Sequence, residues 1–314
     1  MRIVREPFPD VISAASVVTI GKFDGVHLGH RMVLREAVGR AHALGIESAA
    51  VTFDRNPLAL LRPEACPPAL VSLQRRLELI AETGIDVVAV LTFDERRAAE
   101  PAEDFVDEVL VARLGARVVL VGADFRFGAA GRGDVAMLRR LGERHGFETA
   151  LLPDVGGEGV ARISTSGIRT LIAEGRVAEA AARLGSLPAV TGVVVHGNAR
   201  GRALGFPTAN LAGDAVGVVP ADGVYAGWLS VDGERLPAAI SVSDNPTFGD
   251  VAARRVEAYV LDREIDLYDR TVTVEFAERV RGIERFDSVD ALVERMAADV
   301  DATRALLAPR TARG

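Results

Sequence analysis

The sequence contains one cysteine, Cys66, in 314 residues, so no disulfide can form within the chain. A single cysteine also excludes a zinc site built from several cysteines. No apolar run approaches the roughly 20 residues of a membrane-spanning helix, and the first ten residues lack the apolar segment of a signal peptide. We therefore expect a protein of the reducing cytoplasm, without a membrane span or a secretion signal.

Basic residues are fewer than acidic ones, with 37 Lys and Arg against 44 Asp and Glu and a formal net charge of -7. Binding to a nucleic-acid backbone needs clustered basic residues that release counterions. The charge balance therefore disfavours a nucleic-acid-binding protein. Hydrophobic residues make up 49% and charged residues 26%, which is typical of globular proteins. The chain is about twice as long as a typical domain, so we expect two domains.

In the first half of the chain, short β-branched runs alternate with helical patterns. Strands are predicted at 16–20, 48–53, 86–93 and 117–121. The spacing of apolar residues predicts helices over 30–44, 105–114 and 135–145. This alternation predicts an α/β domain with a Rossmann-like, doubly wound parallel sheet, whose ligands bind at the carboxyl ends of the strands.

In the second half, strand-like runs follow one another without intervening helices, at 189–196, 224–231, 237–242, 255–261 and 271–276. Closely spaced strands of this kind predict an antiparallel sheet closed into a small β-barrel. A terminal amphipathic helix is predicted over 288–307, capped by Ser288 or Asp287 and covering the barrel. An Ala-rich helical stretch ends in Gly-Ser-Leu-Pro at 185–188, which places the domains at 1–186 and 187–308.

A glycine-rich segment with two histidines follows the first predicted strand and opens a helix. It reads Gly-Lys-Phe-Asp-Gly-Val-His-Leu-Gly-His over 21–30. Its glycines permit a close backbone approach, and a helix N-terminus offers unpaired N–H groups to phosphate. His27 and His30 can donate hydrogen bonds to phosphoryl oxygens as charge grows in the transition state. The pattern therefore indicates a nucleotide site.

Three other interpretations of this segment were weighed. A lone His-x-x-His is often only a glycine-rich turn with two ordinary histidines. A closed zinc site needs about four ligands, and Asp24 together with His27 and His30 does not complete one. A P-loop is excluded because the sequence contains no Gly-x-x-x-x-Gly-Lys-Ser/Thr.

A second constellation lies in the barrel half, over 196–210. Its backbone N–H groups and guanidinium groups suit a polyphosphate, and they belong to Gly197, Gly201, Gly205, Arg200 and Arg202. Thr208 and Asn210 are oxygen donors two residues apart, on one side of an extended segment, and Mg²⁺ prefers such ligands. A turn at 206–207 capped by Asn210 is the purely structural alternative.

The segment 21–30 resembles the nucleotidylyltransferase signature of the bacterial bifunctional riboflavin kinase and FAD synthetase family. Three further segments resemble other motifs of this family and follow in the family's order. The further segments are Val-Thr-Phe-Asp at 51–54, Val-Gly-Ala-Asp-Phe-Arg-Phe-Gly at 121–128 and Arg-Ile-Ser-Thr-Ser-Gly-Ile-Arg at 162–169. The resemblance implies ATP binding and activation by His27, His30, Ser164, Thr165 and Arg169. It also implies nucleotide contacts at Gly21, Phe23, Asp24, Gly25 and Gly29. FMN is implied near Asp124, Phe125 and Arg126.

The segment 201–210, Gly-Arg-Ala-Leu-Gly-Phe-Pro-Thr-Ala-Asn, resembles the riboflavin kinase signature of the same family. The segments 245–248, 255–259 and 266–268 resemble the motifs that follow it. This resemblance implies a six-stranded barrel, Mg²⁺ bound by Thr208 and Asn210, and Glu257 as the general base that takes the proton of the riboflavin 5′-hydroxyl. An exposed strand glutamate without chemistry is the alternative. The implied nucleotide and flavin contacts are Gly197, Arg200, Arg202, Gly205 and Phe206 for ATP, and Arg281 and Phe286 for flavin.

Asp269 replaces the glycine that follows the motif at 266–268 in the family and could change that turn, and two further departures from the family pattern lie in the nucleotidylyltransferase half. Lys22 stands where Asn or Val is usual, and Arg-Asn-Pro at 55–57 replaces Pro-His-Pro. The missing ring at Asn56 removes a candidate nucleotide contact. Adenylylation could therefore be slower, accept another nucleotide, or be compensated by Lys22 reaching phosphate as a point charge.

Three functions follow from these observations. The favoured one is a bifunctional transferase that uses ATP and Mg²⁺ to convert riboflavin to FMN and FMN to FAD, with small molecules as partners and a monomeric or weakly homo-oligomeric state. The second is a kinase with an impaired adenylyltransferase half, which the Asn56 departure supports. The third is a flavin-binding regulator without turnover. Thr208, Asn210 and Glu257 together argue against the third, since binding alone needs no base beside a pair of metal ligands.

Overall fold

The computed structural model describes residues 1–152, 163–197, 204–244 and 254–308. The chain divides into two compact units, one of residues 1–67 and 73–163, the other of residues 68–72 and 164–314. The predicted domains, 1–186 and 187–308, divide the chain at a different place and stay a prediction. Within the described ranges, no helix is both long and apolar enough to cross a membrane.

The first unit is built on a six-stranded sheet. Its strands are β1 (Arg2–Arg5), β2 (Ser16–Ile20), β3 (Glu47–Phe53), β4 (Val87–Leu91), β5 (Ala116–Val121) and β6 (Glu148–Leu151). They lie in the order β1-β4-β3-β2-β5-β6, and every neighbouring pair is parallel. The chain passes from β2 to β3 and β4 on one side and returns to β5 on the other. In doubly wound sheets, ligands bind at the carboxyl ends of the strands beside such a reversal.

The described helices of the first unit are α1 (Leu28–Leu44), α2 (Leu58–Leu61), α3 (Leu73–Ala81), α4 (Glu95–Ala99), α5 (Ala102–Phe105) and α6 (Val135–His145). Among them, three begin at a residue whose side chain caps the helix: α1, α4 and α6. Gly45, with φ 66°, ends α1, and the Asp134 carboxylate caps α6 by accepting the Met137 N–H at 2.8 Å. The predicted helix at 105–114 is a π-helical segment, Val106–Arg113, that continues α5.

The four predicted strands of this unit are confirmed, with ends that differ by at most two residues. β4 is buried along its whole length, as a parallel strand covered on both faces must be, and its apolar run made it visible in the sequence. The edge strands β1 and β6 were not predicted. β1 reads Arg-Ile-Val-Arg and is mostly exposed, so it lacks the apolar pattern by which a strand is recognised.

The second unit contains a closed barrel. Its strands are β7 (Ala189–Val195), β8 (Ala209–Leu211), β9 (Gly223–Val231), β10 (Glu234–Ser243), β11 (Arg255–Val260) and β12 (Thr271–Arg281). They close in the order β10-β11-β8-β7-β12-β9, with antiparallel pairing throughout. Tyr225 and Phe276 are fully buried in the barrel core, and their rings meet edge-on at 5.5 Å. The predicted α/β sheet and six-stranded antiparallel barrel are confirmed.

Among its described residues, the second unit also contains the helices α7 (Thr165–Ala173), α8 (Val177–Leu184) and α9 (Val289–Leu307). Ser288 caps α9, as predicted, by accepting the Ala291 N–H at 3.2 Å. Asp299 of α9 is 6% exposed, and its carboxylate accepts two short hydrogen bonds from the Arg281 guanidinium of β12, at 2.6 and 2.9 Å. This ion pair joins the terminal helix to the barrel.

Candidate active sites

The loop after β2 is held in an uncommon backbone conformation. Phe23 has φ 47° and ψ 32°, and Val26 has φ 42°. This left-handed region costs a residue with a side chain roughly 1–2 kcal/mol. Phe23 is 2% exposed, and a Cβ on Gly21 would lie 2.9 Å from its ring. Burial of the ring offsets the strain, and the glycine at position 21 makes room for it.

His27 and His30 form one stacked pair at the start of α1. Nδ1 of His27 accepts the backbone N–H of His30 at 3.3 Å, which caps the helix. The two rings lie 3.7 Å apart with 16° between their planes, and the Phe23 ring meets His30 edge-on at 5.4 Å. Because Nδ1 of His27 is an acceptor, the neutral ring carries its proton on Nε2, where it is available as a donor.

Both imidazoles are neutral at pH 7. Burial lowers the pKa of His27 from 6.5 to about 4. Burial, together with the nearby charge of His27, lowers the pKa of His30 to about 3. Nδ1 of His30 is buried and has no hydrogen-bond partner in the part of the chain that the structure describes. A neutral pair can donate hydrogen bonds without presenting two adjacent positive charges.

We expect acid to destabilise the fold through this pair. In the unfolded chain the histidines bind protons near pH 6.5, whereas in the folded protein they stay neutral until the pH approaches 4. The unfolded state then binds more protons, so the free energy of unfolding falls as the pH drops from about 6.5. Urea unfolding at pH 7 and pH 5 measures the loss, which should be smaller in His30→Gln. Equal losses in the two proteins would contradict a buried neutral pair.

The end of β3 lies beside this loop, because β2 and β3 are neighbours in the sheet. The Asp54 carboxylate accepts the N–H groups of Arg55 and Phe93, at 2.8 and 3.0 Å. Asn56, at the position that departs from the family pattern, accepts the Leu58 N–H at 3.1 Å. Its side chain therefore forms a local turn that opens α2.

The predicted flavin-side residues lie in the turn after β5, the other neighbour of β2. The Phe125 N–H donates to the Gly122 carbonyl at 3.1 Å, and the Phe125 ring stacks on Phe127 at 5.4 Å. Arg126 is exposed and pairs with Asp134 at 3.5 Å. The turn that carries Asp124, Phe125 and Arg126 thus lies at the carboxyl edge of the sheet, one strand from His27 and His30.

The other residues predicted to bind ATP for adenylylation, Ser164, Thr165 and Arg169, belong to the second unit. Ser164 is the N-cap of α7, and its hydroxyl accepts the Gly167 N–H at 3.1 Å. Thr165 is the first residue of that helix. Nε of Arg169 donates to the Pro68 carbonyl at 2.8 Å. Ser164 therefore caps the helix, and the binding of triphosphate by Ser164, Thr165 and Arg169 stays a prediction.

In the barrel, Asn210 and Glu257 are directly paired across β8 and β11. Residues opposite each other in an antiparallel pair point to the same face. Both are half-buried, while their neighbours Ala209 and Ala258 point into the core, so this face is the outer one. Nδ2 of Asn210 lies 3.5 Å from the Thr208 hydroxyl. The structure therefore brings Thr208, Asn210 and Glu257 together.

A groove runs along the segment 263–268, and of Thr208, Asn210 and Glu257 it is lined by Thr208 alone. Its lining includes Pro207, Thr208, Ala258, Asp266, Leu267 and Tyr268. The Tyr268 ring stacks on His196 with centroids 3.8 Å apart, and Phe206 meets Tyr259 edge-on at 5.3 Å. Of these rings, that of Tyr259 lies two residues along β11 from Glu257, on the same face of the strand.

Comparison with known protein families also divides the chain into two parts, each of which matches a different family. Residues 11–166 match the FAD synthetase family, and residues 184–307 match the riboflavin kinase family. The bifunctional riboflavin kinase/FMN adenylyltransferase of Escherichia coli strain K12 is 36% identical over 90% of this chain and 90% of its own length. That of Pseudomonas fluorescens is 37% identical over 93% of each chain. A crystal structure described as a macrolide-efflux protein from Streptococcus pneumoniae superposes with a TM-score of 0.81 at 32% identity, covering 94% of this chain and 96% of that one.

The chain belongs to the bifunctional riboflavin kinase/FMN adenylyltransferase family. The predicted resemblance and the predicted enzyme class, a bifunctional transferase, are confirmed. Some of the predicted site residues lie outside the described residues, namely Arg200, Arg202 and the segment 245–248. Gly201 and Arg162 lie there as well.

The donor set at Thr208 and Asn210 fits the Mg²⁺ that this family of kinases implies. The hydroxyl and the amide lie side by side, and a Cβ on Gly197 would lie 2.6 Å from the Asn210 amide. Glycine therefore leaves room for that amide. Oxygen donors of this kind, with few protein ligands, match Mg²⁺ rather than zinc. Among the described residues, no group of three or more His, Cys, Asp and Glu is arranged to hold a metal.

Arg281 and Phe286 lie at the end of β12 and just beyond it. The Arg281 guanidinium lies 5.9 Å from the Phe286 ring and is bound by Asp299. The cation is therefore part of the contact between β12 and α9. The flavin-binding role of both residues stays a prediction.

Two residues at the sites were missed in the sequence. Ser241 lies directly opposite Glu257 on β10, and strand register cannot be known before the strands are paired. Arg76, on α3, is 8% exposed and bonds to the loop that carries Phe23. Its signal was visible, because it lies between Leu73, Leu77 and Ile80 on an apolar helix face, where an arginine needs buried partners.

Proposed function

We propose that the chain phosphorylates riboflavin to FMN with ATP and then adenylylates FMN to FAD with a second ATP, releasing pyrophosphate. The pairing of Asn210 with Glu257, beside Thr208, is the observation that supports it best. A flavin-binding protein without turnover has no need of a carboxylate base beside two oxygen ligands. Membership of a family with both transferase domains supports the two-step reaction.

In the kinase half, Glu257 is the proposed general base. Its carboxylate would accept the proton of the riboflavin 5′-hydroxyl as that oxygen attacks the γ-phosphorus of ATP and ADP leaves. Nη1 of Arg255 lies 3.4 Å from the Glu257 carboxylate and keeps a positive charge beside it. Thr208 and Asn210 would hold Mg²⁺, which supplies positive charge to the phosphate oxygens. Gly197, Gly205 and Phe206 are proposed to contact the nucleotide.

In the adenylyltransferase half, the FMN phosphate would attack the α-phosphorus of ATP, and pyrophosphate would leave. His27 and His30 are proposed to donate hydrogen bonds to the phosphoryl oxygens, as preorganised donors in a water-poor site. The backbone N–H groups at the start of α1, near Gly29, add the positive end of the helix dipole. Ser164, Thr165 and Arg169 are proposed to bind the triphosphate, and Asp124, Phe125 and Arg126 the flavin.

Lys22 gives this half a selective chemical probe, since it is the only lysine of the chain. Its side chain is exposed, next to Gly21 in the proposed nucleotide loop. We expect ATP without flavin to slow the labelling of Lys22 by pyridoxal phosphate and borohydride by about tenfold, at an ATP concentration ten times the dissociation constant. Peptide mass spectrometry separates this label from that on the N-terminal amine.

The N-terminal amine serves as the internal control, because its labelling should not depend on ATP. Lys22→Arg should show the N-terminal label alone. Labelling of Lys22 that stays unchanged in saturating ATP would contradict a nucleotide at this loop. The kinase half contains no lysine, so ATP bound there cannot produce the protection.

Incubation of the pure protein with riboflavin, ATP and Mg²⁺ tests the proposed function. FMN should form first and FAD second, with ADP and pyrophosphate as the other products. FMN that accumulates without FAD would replace the proposal by a kinase with an impaired adenylyltransferase half. Absence of riboflavin-dependent ADP release would leave only a flavin-binding regulator. Omission of Mg²⁺ should abolish both steps.

The proposed setting follows from the substrates. ATP, riboflavin and FMN are small cytoplasmic metabolites, and we propose a cytoplasmic enzyme that acts as a monomer or a weak homo-oligomer without nucleic-acid partners. Gel filtration with light scattering gives the mass in solution.

A further inference from the structure

Arg76 is a buried cation whose hydrogen bonds go to backbone carbonyl groups. It projects from α3, and its side chain is 8% exposed. Nη1 donates to the Lys22 carbonyl at 2.7 Å, and Nη2 donates to the Phe53 carbonyl at 2.8 Å and, less closely, to the Asp54 carbonyl at 3.4 Å. A buried charge needs hydrogen-bond partners. Both terminal nitrogens have them, whereas the buried Nε has none among the described residues.

The three carbonyl groups lie where two neighbouring strands end. Lys22 follows the carboxyl end of β2, while Phe53 and Asp54 are the last residue of β3 and the one after it. Beyond the last ladder bond, strand carbonyls need other donors. The Thr52 hydroxyl also donates to the Lys22 carbonyl, at 3.3 Å. Arg76 therefore ties the exit of β2 to the exit of β3, at the edge of the sheet where ligands bind.

The Lys22 carbonyl belongs to the peptide that leads into Phe23, the residue with φ 47°. Fixing this peptide fixes the direction in which the left-handed turn leaves the sheet. The Phe23 ring then packs edge-on against His30 at 5.4 Å, and His30 stacks on His27. A path of direct contacts thus runs from Arg76 through Lys22 and Phe23 to the two imidazoles.

We propose that Arg76 is the positioning residue of the adenylyltransferase site, holding the His27 and His30 rings in register with the phosphates without touching the substrate itself. This inference rests on the proposed function of that half. Arg76 lies far in sequence from the segment 21–30. It acts on that segment through the Lys22 carbonyl group rather than through a side chain.

The fork shape of the guanidinium suits this role. Two nitrogens in one rigid plane reach acceptors on two different strands, which the single ammonium group of lysine does less well. Burial lowers the pKa of Arg76, and the carboxylates of Asp24 and Asp54 act in the opposite direction. Arginine is always charged in proteins, so the bonds to the carbonyl groups are charge-assisted and strong.

Arg76→Met tests the inference, with Arg76→Lys as the conservative variant. A displacement of about 1 Å at a catalytic group can lower turnover by a factor on the order of 100. We expect kcat for FMN adenylylation to fall by that factor in Arg76→Met, with less than about a threefold change in KM for FMN, and Arg76→Lys to recover part of the loss. Riboflavin phosphorylation, measured in the same samples, should keep its rate.

Arg113→Met is the matched control. Nη1 of Arg113 also donates to a backbone carbonyl, that of Pro9 at 3.1 Å, but Arg113 lies before the amino end of β5, at the opposite edge of the sheet. This variant should keep the adenylylation kcat even where urea unfolding shows a similar loss of stability. An unchanged kcat in Arg76→Met, or an equal fall in the Arg113 variant, overturns the positioning role. Absence of FAD formation by the unmodified protein would instead overturn the proposed function of this half.

Discussion

Replacing Glu257 by glutamine is expected to lower the turnover of riboflavin phosphorylation by a factor on the order of 100 or more, because loss of a general base typically has an effect of this size. Glutamine has the same shape but cannot accept the proton of the 5′-hydroxyl. Glu257 pairs with Asn210 across two strands, so the substitution leaves the barrel and the proposed Mg²⁺ ligands in place. The release of ADP with saturating riboflavin and ATP measures the effect.

The second activity of the same chain is the internal control for Glu257→Gln. FMN adenylylation should keep its rate, since its residues lie on other elements. Glu278→Gln, an exposed glutamate on the barrel strand β12, should leave both activities unchanged. If both activities fall together in Glu257→Gln, the two-site scheme is wrong.

The sequence was sufficient to predict both folds, for a physical reason. Strands such as β4 are buried on both faces and appear as unbroken apolar runs, and the inward residues of β10 alternate with outward ones. Elements that bury little surface were missed. β1 and β6 lie at the sheet edges, and β8, which has three residues, was not among the predicted strands.

The local backbone geometry of the candidate sites was predictable where one continuous segment forms it. The segment 21–30 forms a strand exit, a tight turn and a helix start, so its geometry can be inferred from local sequence. Contacts that form only after strands pair were not predictable. Ser241 faces Glu257 through strand register. The apolar helix face around Arg76 indicates that this residue is buried, but it does not indicate the Lys22 carbonyl as its partner, since any residue at position 22 would offer a carbonyl group. Tertiary geometry alone reveals such partners.

Replacing His30 by alanine should reverse the pattern expected for Glu257. Loss of one preorganised donor to a developing oxyanion lowers turnover by about 100- to 1,000-fold, so FAD formation should fall by this factor while FMN formation continues. His30 lies against both His27 and Phe23, and His30→Gln, which keeps an N–H donor and much of the volume, should retain more activity than His30→Ala. The rate of FAD formation from added FMN and ATP is the measurement.

His42→Ala provides the control on the same helix, since His42 is exposed near the end of α1 and should not affect either reaction. The low pKa of His30 adds a second readout, because a ring that is already neutral at pH 7 shows no protonation change near pH 6.5. Any inflection near pH 6.5 in the rate of FAD formation by the unmodified protein should therefore persist in His30→Gln. Unchanged FAD formation in His30→Ala would show that the stacked pair acts through His27 alone, and it would leave His30 as a packing residue between two rings.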